Sequence, residues 1–373
     1  MADFLPWFDP GGNFRVAILI MSESSHSRNV SLQSFEYGFL PVEMRMPLKF
    51  GSESVSHVNC LRVAAEVVNS AGQRGKGWGE TPLSVTWAWP SATLSYDERY
   101  EVMVAFCQFA AEAFVEVNES GHPMEIGHAF LEDRLPAVLA AFNQNYSAEP
   151  MPYLAALIVM SAFDIAIHDA YGNLHQIDIY DTYSSEYMTH DLSYYFRSSP
   201  EADRFKGMFP NDFLESQPPV KVPVWHLVGG LDPLEASDKK ETDPNDGYPV
   251  ALTEWIKSDG LQCLKIKLNG TDAQWDYERI VKVGAIAIAT GVDSLSVDFN
   301  CTVKNPDYVT SILDRLKEEQ KQIFDLIVYV EQPFPYDIES NQIDVSSVSS
   351  RKPLFLDESA HDWKFVELGR QLG

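Results

Sequence analysis

Cysteine is scarce in this chain of 373 residues. Its four thiols, Cys60, Cys107, Cys263 and Cys301, lie far apart and form no C-x-x-C pair. So few cysteines make no disulfide framework, and a reducing, cytoplasmic setting is expected. Positive charge is also short, with 28 Lys and Arg against 54 Asp and Glu and a net charge of −26. Such a surface repels phosphate backbones and anionic headgroups, so neither nucleic acid nor a membrane is expected as a partner. The apolar run nearest the N-terminus, residues 16–21, is far too short to span a bilayer. No basic stretch precedes it as a signal peptide would require. The G-x-S-x-G, G-x-G-x-x-G and P-loop patterns are missing, which lowers hydrolase, dinucleotide and nucleotide readings. The nine histidines include no H-x-H or H-E-x-x-H pair.

Apolar residues, by contrast, are ample: 45% hydrophobic and 12% aromatic, enough for large cores, and the length suits two domains. The first ninety residues read as strands joined by short turns: "SLQSFEYGF", "VEMRMPLKF" and "HVNCLRVAAEVVN", then a turn at "SAGQRG" before "KGWGET". Ser95 and Glu98 form a capping box ahead of a helix whose apolar stripe is Val102, Ala105, Phe106, Phe109, Ala110 and Ala113. A second helix is expected over 152–170, with Gly172 as its stop and Leu154, Leu157, Ile158, Ser161, Ala162, Ile165 and Ala166 as its core stripe. Residues 176–220 show no clean period and read as a long excursion. From Lys221 onward, short apolar runs alternate with helical segments, the pattern of βα units. The expected division is therefore an α+β domain over 1–175, a linker over 176–220 and a parallel α/β domain over 221–373.

Four consecutive strands of that last region end in charge: Lys265 and Lys267 in "QCLKIKL", Asp298 in "SLSVDFN", Glu331 in "DLIVYVEQP" and Asp357 in "KPLFLDES". The steps from Lys267 to Asp298, Glu331 and Asp357 are 31, 33 and 26 residues, about one strand-plus-helix unit each. Charges that recur once per unit at the strand C-termini gather on one rim, where barrel folds carry their chemistry. Taken alone, the lysine pair reads better as a solvated edge; three downstream carboxylates at unit spacing favour a site. Three carboxylates without His or Cys make a hard, all-oxygen set suited to Mg²⁺, with Mn²⁺ as the alternative. Residues two apart on a strand share a face, and each lysine should lower the other's pKa, making one a base near neutrality. A metal plus such a base is equipment for removing a proton α to a carboxylate.

The motifs "MPLKFG", "GKGWGETP", "SAFDIAIHDAYGN", "KIK", "VDFN", "EQP" and "LDES", in this order, resemble the enolase superfamily and within it the muconate-lactonizing group of cycloisomerases and dipeptide epimerases. The resemblance runs from about residue 30 to the end and implies a (β/α)7β TIM-type barrel with an N-terminal α+β capping domain. It further implies Asp298, Glu331 and Asp357 as magnesium ligands, Lys267 as acid/base, Lys265 as its tuner and substrate holder, and Asn300 as support. The expected function is Mg-dependent abstraction of the α-proton of a small-molecule carboxylate, as racemase, epimerase or cycloisomerase. Sugar-acid dehydration and a non-catalytic product are the alternatives, and a homo-oligomer is compatible with either. The family's opposing lysine would fall near position 381, so the chain reads as a C-terminally truncated barrel with about five strands present. Residues 45–54 and 176–220 are candidates for substrate selection. His226 and His361 are weaker candidates for the rim, and His168, Trp78, Trp87 and Trp89 read as packing residues.

Overall fold

The computed structural model describes residues 14–17, 28–50, 53–117, 119–145 and 149–373. Most of the apolar run at 16–21, and Gly51 and Ser52 of the candidate selection loop, lie outside the described residues. Two compact units emerge: one formed by residues 1–42 and 57–217, the other by 43–56 and 218–373. The excursion thus belongs to the first unit as far as Gln217, and the tip at 43–56 belongs to the second.

The first unit is built on an antiparallel sheet in the order β1 (Phe14–Ala17), β2 (Val30–Phe50), β3 (Glu53–Asn69) and β4 (Arg74–Pro82), with β5 (Ser120–Gly121) pairing with β2. The two expected segments "SLQSFEYGF" and "VEMRMPLKF" form one continuous strand of 21 residues, which runs straight through the Leu40–Pro41 pair between them. Four longer helices cover the sheet: α1 (Tyr96–Val115), α2 (Pro123–Asp133), α3 (Leu135–Asn143) and α4 (Tyr153–His175). The Ser95–Glu98 capping box starts α1 as expected, satisfying two terminal backbone donors.

Helix α4 runs one turn past Gly172 and ends at Gln176, which itself adopts the left-handed conformation at φ 54°. Its length and composition would also suit a membrane span, yet its apolar line is packed. That line is Ala155, Val159, Ala162, Ala166 and Ala170, all fully buried, while Ile165 of the expected stripe is 46% exposed. The reason lies in β4, whose inward positions are Gly75, Gly77 and Gly79. A Cβ on Gly77 would stand 2.0 Å from the Ala170 amide nitrogen, and one on Gly79 would stand 2.1 Å from the Ala162 carbonyl oxygen. Two strand residues span about 6.7 Å and four helix residues about 6 Å, so the alternate glycines stay matched to the i, i+4 alanine row. Backbone lies directly on backbone.

The second unit is a five-stranded parallel sheet in the order β10 (Leu354–Phe355), β9 (Ile327–Glu331), β8 (Ser294–Asp298), β7 (Cys263–Lys267) and β6 (Trp225–Val228). Among the described residues this sheet does not close into a barrel. One face, with Leu264, Ile266, Leu295, Val297 and Val330, is buried beneath α5 (Leu252–Asp259), α6 (Ala273–Thr290) and α7 (Pro306–Glu319). Asn305 caps α7 by accepting the Asp307 amide hydrogen, with Pro306 in the first turn, as its sequence leads one to expect.

Replacing Gly77 by Val should lower unfolding stability by about 3 kcal/mol, since the displaced atoms are main chain and cannot rotate away. The shift in urea midpoint, at unchanged slope, measures it.

Candidate functional site

Strand register assembles the charged rim. In the parallel ladder Lys265 lies opposite Ser296, Lys267 opposite Asp298, and Asp298 opposite Glu331. Side chains of the same parity share a face, so Lys265, Lys267, Asp298 and Glu331 project together from the face that the helices leave free. Lys267, Asp298 and Glu331 are only 5%, 2% and 3% exposed. Lys267 donates to Asp298, and Lys265 donates to Glu331 while standing 3.1 Å from Asp298 Oδ2. Asn300 completes the cluster: its Oδ1 accepts from Lys267 Nζ at 2.9 Å, and its Nδ2 donates to the Leu268 carbonyl at 2.7 Å. Its own amide hydrogen goes to Asp298 Oδ1 at 2.8 Å, which fixes the carboxylate against the turn.

The expectation that the lysines depress one another's pKa needs correction for Lys265. Burial alone would lower it, but Asp298 and Glu331 together outweigh burial and raise it above the ordinary lysine value. Two carboxylates across the strands are closer partners than one cation along the strand. Burial, followed by the charge of Asp298, pushes Glu331 up to about 7 despite Lys265, and Asp357 adds to the shift.

Asp357 lies just after β10, where Phe355 pairs with Glu331. Among the described residues no three His, Cys, Asp or Glu side chains converge tightly enough to hold a metal as they stand. The donor set nevertheless suits a divalent cation. The Lys265 ammonium already sits between Asp298 and Glu331, so positive charge has a place there, and Asp357 is near enough for its charge to act on Glu331.

Gln332, quoted in the sequence only as part of "EQP", ties the rim together. Its backbone amide donates to Phe355 O, and its carbonyl accepts from Cys301. Its side chain accepts from the amides of Asp357 at 3.1 Å and Ser359 at 3.4 Å, and donates to Phe334 O at 3.1 Å. One residue therefore joins the loops after β8, β9 and β10. Asn300, Cys301 and Gln332 all have positive φ, at 54°, 58° and 28°. Each such non-glycine residue costs about 1–3 kcal/mol, a strain tolerated where a site over-determines the backbone. Asp276, also missed in the sequence, is fully buried on α6 and accepts from the Asn269 and Gly270 amides and the Tyr308 hydroxyl. It pins the loop that follows Lys267. Glu358, its carboxyl pKa raised by burial and by Asp357, sits beneath the rim with Cys301.

The histidines part from the rim. His226 neighbours Leu227, the residue opposite Lys265, and so points to the other face. There it lines a cavity of about 210 Å³ with Trp255, Pro233, Leu48 and Arg45. His361 is turned to the Glu358 carbonyl at 2.6 Å. In the first unit His168 packs against Asp164, Trp89 is buried, and Trp78 is 39% exposed.

No protein-family profile and no curated protein matches the sequence. Solved structures do match in fold. A dipeptide epimerase from Cytophaga hutchinsonii, complexed with Mg and the dipeptide D-Ala-L-Val, is similar with a TM-score of 0.53 at 16% identity, over 92% of this chain and 68% of that one. An N-succinyl Arg/Lys racemase from Bacillus cereus ATCC 14579 gives 0.51 at 17% identity, over 92% and 70%. A mandelate racemase/muconate lactonizing protein from Herpetosiphon aurantiacus gives 0.52 at 14% identity, over 92% and 72%. The chain shares the fold of these structures, an antiparallel α+β unit followed by a barrel-type parallel α/β unit, and among the described residues the parallel sheet stays open.

Gln332→Ala leaves the Asp357 and Ser359 amides without their acceptor and should cost about 2 kcal/mol. Chemical denaturation checks the magnitude. Faster hydrogen exchange at residues 357–359 than in β8 checks the location.

Proposed function

We propose that this protein is a metal-assisted enzyme that removes the proton α to a substrate carboxylate, in a racemisation, epimerisation or cycloisomerisation. One observation carries the reading. Lys267 and Lys265 meet Asp298 and Glu331 on one face, at the C-terminal ends of adjacent parallel strands. The fold likeness to racemases and epimerases supports the reaction class, and a small carboxylate in a cytoplasmic setting accords with it.

Bound Mg²⁺ (or Mn²⁺), held by Asp298, Glu331 and Asp357, would supply positive charge against the substrate carboxylate as the α-carbon loses its proton. Lys267 is the proton acceptor. Asn300 Oδ1 aims its Nζ, which is buried beside Asp298. Lys265 has the complementary task. Held charged by two carboxylates, it orients the anionic end of the substrate. Substrate side-chain selection falls to groups outside this cluster, with residues 45–54 and 176–220 remaining the candidates.

The reading is tested by following loss of the α-proton signal in deuterated solvent. Dipeptides, N-acyl amino acids and sugar acids are incubated with the purified protein and Mg²⁺. Lys267→Ala should slow exchange on the order of 10³-fold while calorimetric Mg²⁺ binding survives. Undiminished exchange in that variant removes Lys267 from its role. Asp298→Ala should instead weaken Mg²⁺ binding at least about tenfold, as loss of one carboxylate ligand demands; an unchanged affinity would move the metal elsewhere.

A further inference from the structure

Residues 178–213 have little regular structure, yet they fold as short turns around Met188, Leu192 and Tyr195 and lie against α2 and α4. Two histidines hold this segment, and both are used as hydrogen-bond acceptors. His122, fully buried, caps α2: its Nδ1 accepts from the Met124 amide at 3.2 Å. The proton must then sit on Nε2, which donates to Thr182 Oγ1 at 2.9 Å, and the Thr182 hydroxyl donates onward to Ile179 O. His128, on α2, accepts on Nε2 from Arg197 Nη1 at 2.8 Å, because a guanidinium can only donate.

We propose that His122 and His128 form an acid-labile clasp that keeps residues 178–213 docked only while both imidazoles are neutral. A second proton on His122 Nδ1 would face the Met124 N–H, two donors with no acceptor between them, and turning the ring away from that N–H breaks its Nε2 bond to Thr182 of the segment. On His128 it would face the Arg197 guanidinium, charge against charge. The surroundings offer little relief. Around His122 stand Tyr171, Tyr183, His168 and His175, with Glu125 occupied by the His122, Thr189 and His190 amides. Asp164, beside His168, is itself held toward its neutral form by burial. Around His128 stand Tyr194, Tyr195 and His190, and only Asp133, shared with Arg197, opposes the effect. His175 is not part of the clasp: its Nε2 donates to Arg28 O, a bond that protonation preserves. Nearby Arg28 pairs with Glu186 on the segment and remains in place.

The sign is fixed by linkage. Burial lowers His122 from 6.5 to about 3, and burial with Arg197 lowers His128 to about 4. With the segment undocked and both rings freed to water, each titrates near the ordinary value of about 6.5, so the docked form binds fewer protons between those limits. Docking is therefore complete above pH 6.5 and weakens as pH falls below it. At pH 5 each histidine favours opening by up to about thirtyfold.

Hydrogen exchange of the intact protein, corrected for intrinsic rates, tests this between pH 7 and 5. Peptides covering 178–213 should lose at least tenfold in protection relative to 103–115 of α1. In His122→Asn/His128→Gln, whose side chains accept without titrating, that pH dependence should flatten. Equal protection at both pH values in the wild type overturns the clasp, as does an undiminished fall in the double variant. Should the double variant fail to fold, imidazole NMR of the wild type decides. Ring protonation coinciding with the opening of 178–213 supports the clasp, and protonation without opening overturns it.

Discussion

Charge compensation in a buried place governs this structure. Burying an ammonium or a carboxylate costs several kcal/mol per ion unless a partner meets it. Here two lysines and two carboxylates, three of the four side chains almost wholly buried, share one face of a parallel sheet. None of them is acceptable there alone. Register therefore has to be held: slipping β8 by one residue against β7 would put Asp298 among the apolar helices and leave Lys267 without its partner. The strained turn at Asn300 and Cys301, the side-chain contacts of Asn300 and the triple link made by Gln332 all hold that register at the strand ends. Backbone strain at the rim is offset by the cost of what would otherwise be unpaired.

Much of this was legible in the sequence, because strands and βα units leave simple periodic marks. Lys265 and Lys267 stand two apart, and Asp298, Glu331 and Asp357 follow at unit spacing; the structure places the first two carboxylates in ladder register with Lys267. The sign of the Lys265 shift was not legible. Along the chain its charged neighbour is another lysine, whereas across the sheet its neighbours are Asp298 and Glu331, and only the ladder shows which lie closer. Gln332 escaped for a related reason. A glutamine in "EQP" has no period, and its importance rests on a left-handed backbone that presents its carbonyl to the loop after β8 and its side-chain amide to the loop after β10.

The excursion was opaque for a different reason. Its turns are not stabilised by an apolar stripe but by local side-chain caps: Asp178 accepts from Tyr180, Asp191 from Ser193 and Gly207, and Asp212 from Phe209. Such turns look like loop in any periodicity, although each is closed by its own hydrogen bonds. The same blindness applies to the end of α4. Gly172 looks like a stop, but Asn173 bonds to the Lys76 carbonyl and Asp169 beyond it, and the helix continues until Gln176 takes the left-handed turn.

The glycine row of β4 sets a different kind of limit. An oversized side chain in an ordinary core can be accommodated by trimming its neighbour, so one damaging change can be rescued by another. Opposite Gly77 and Gly79 the neighbours are the main-chain atoms of α4, which every amino acid carries. No second-site suppressor on α4 can make room for a side chain at those two positions. That strand and helix can diverge almost anywhere else, but along this seam their separation is inherited unchanged.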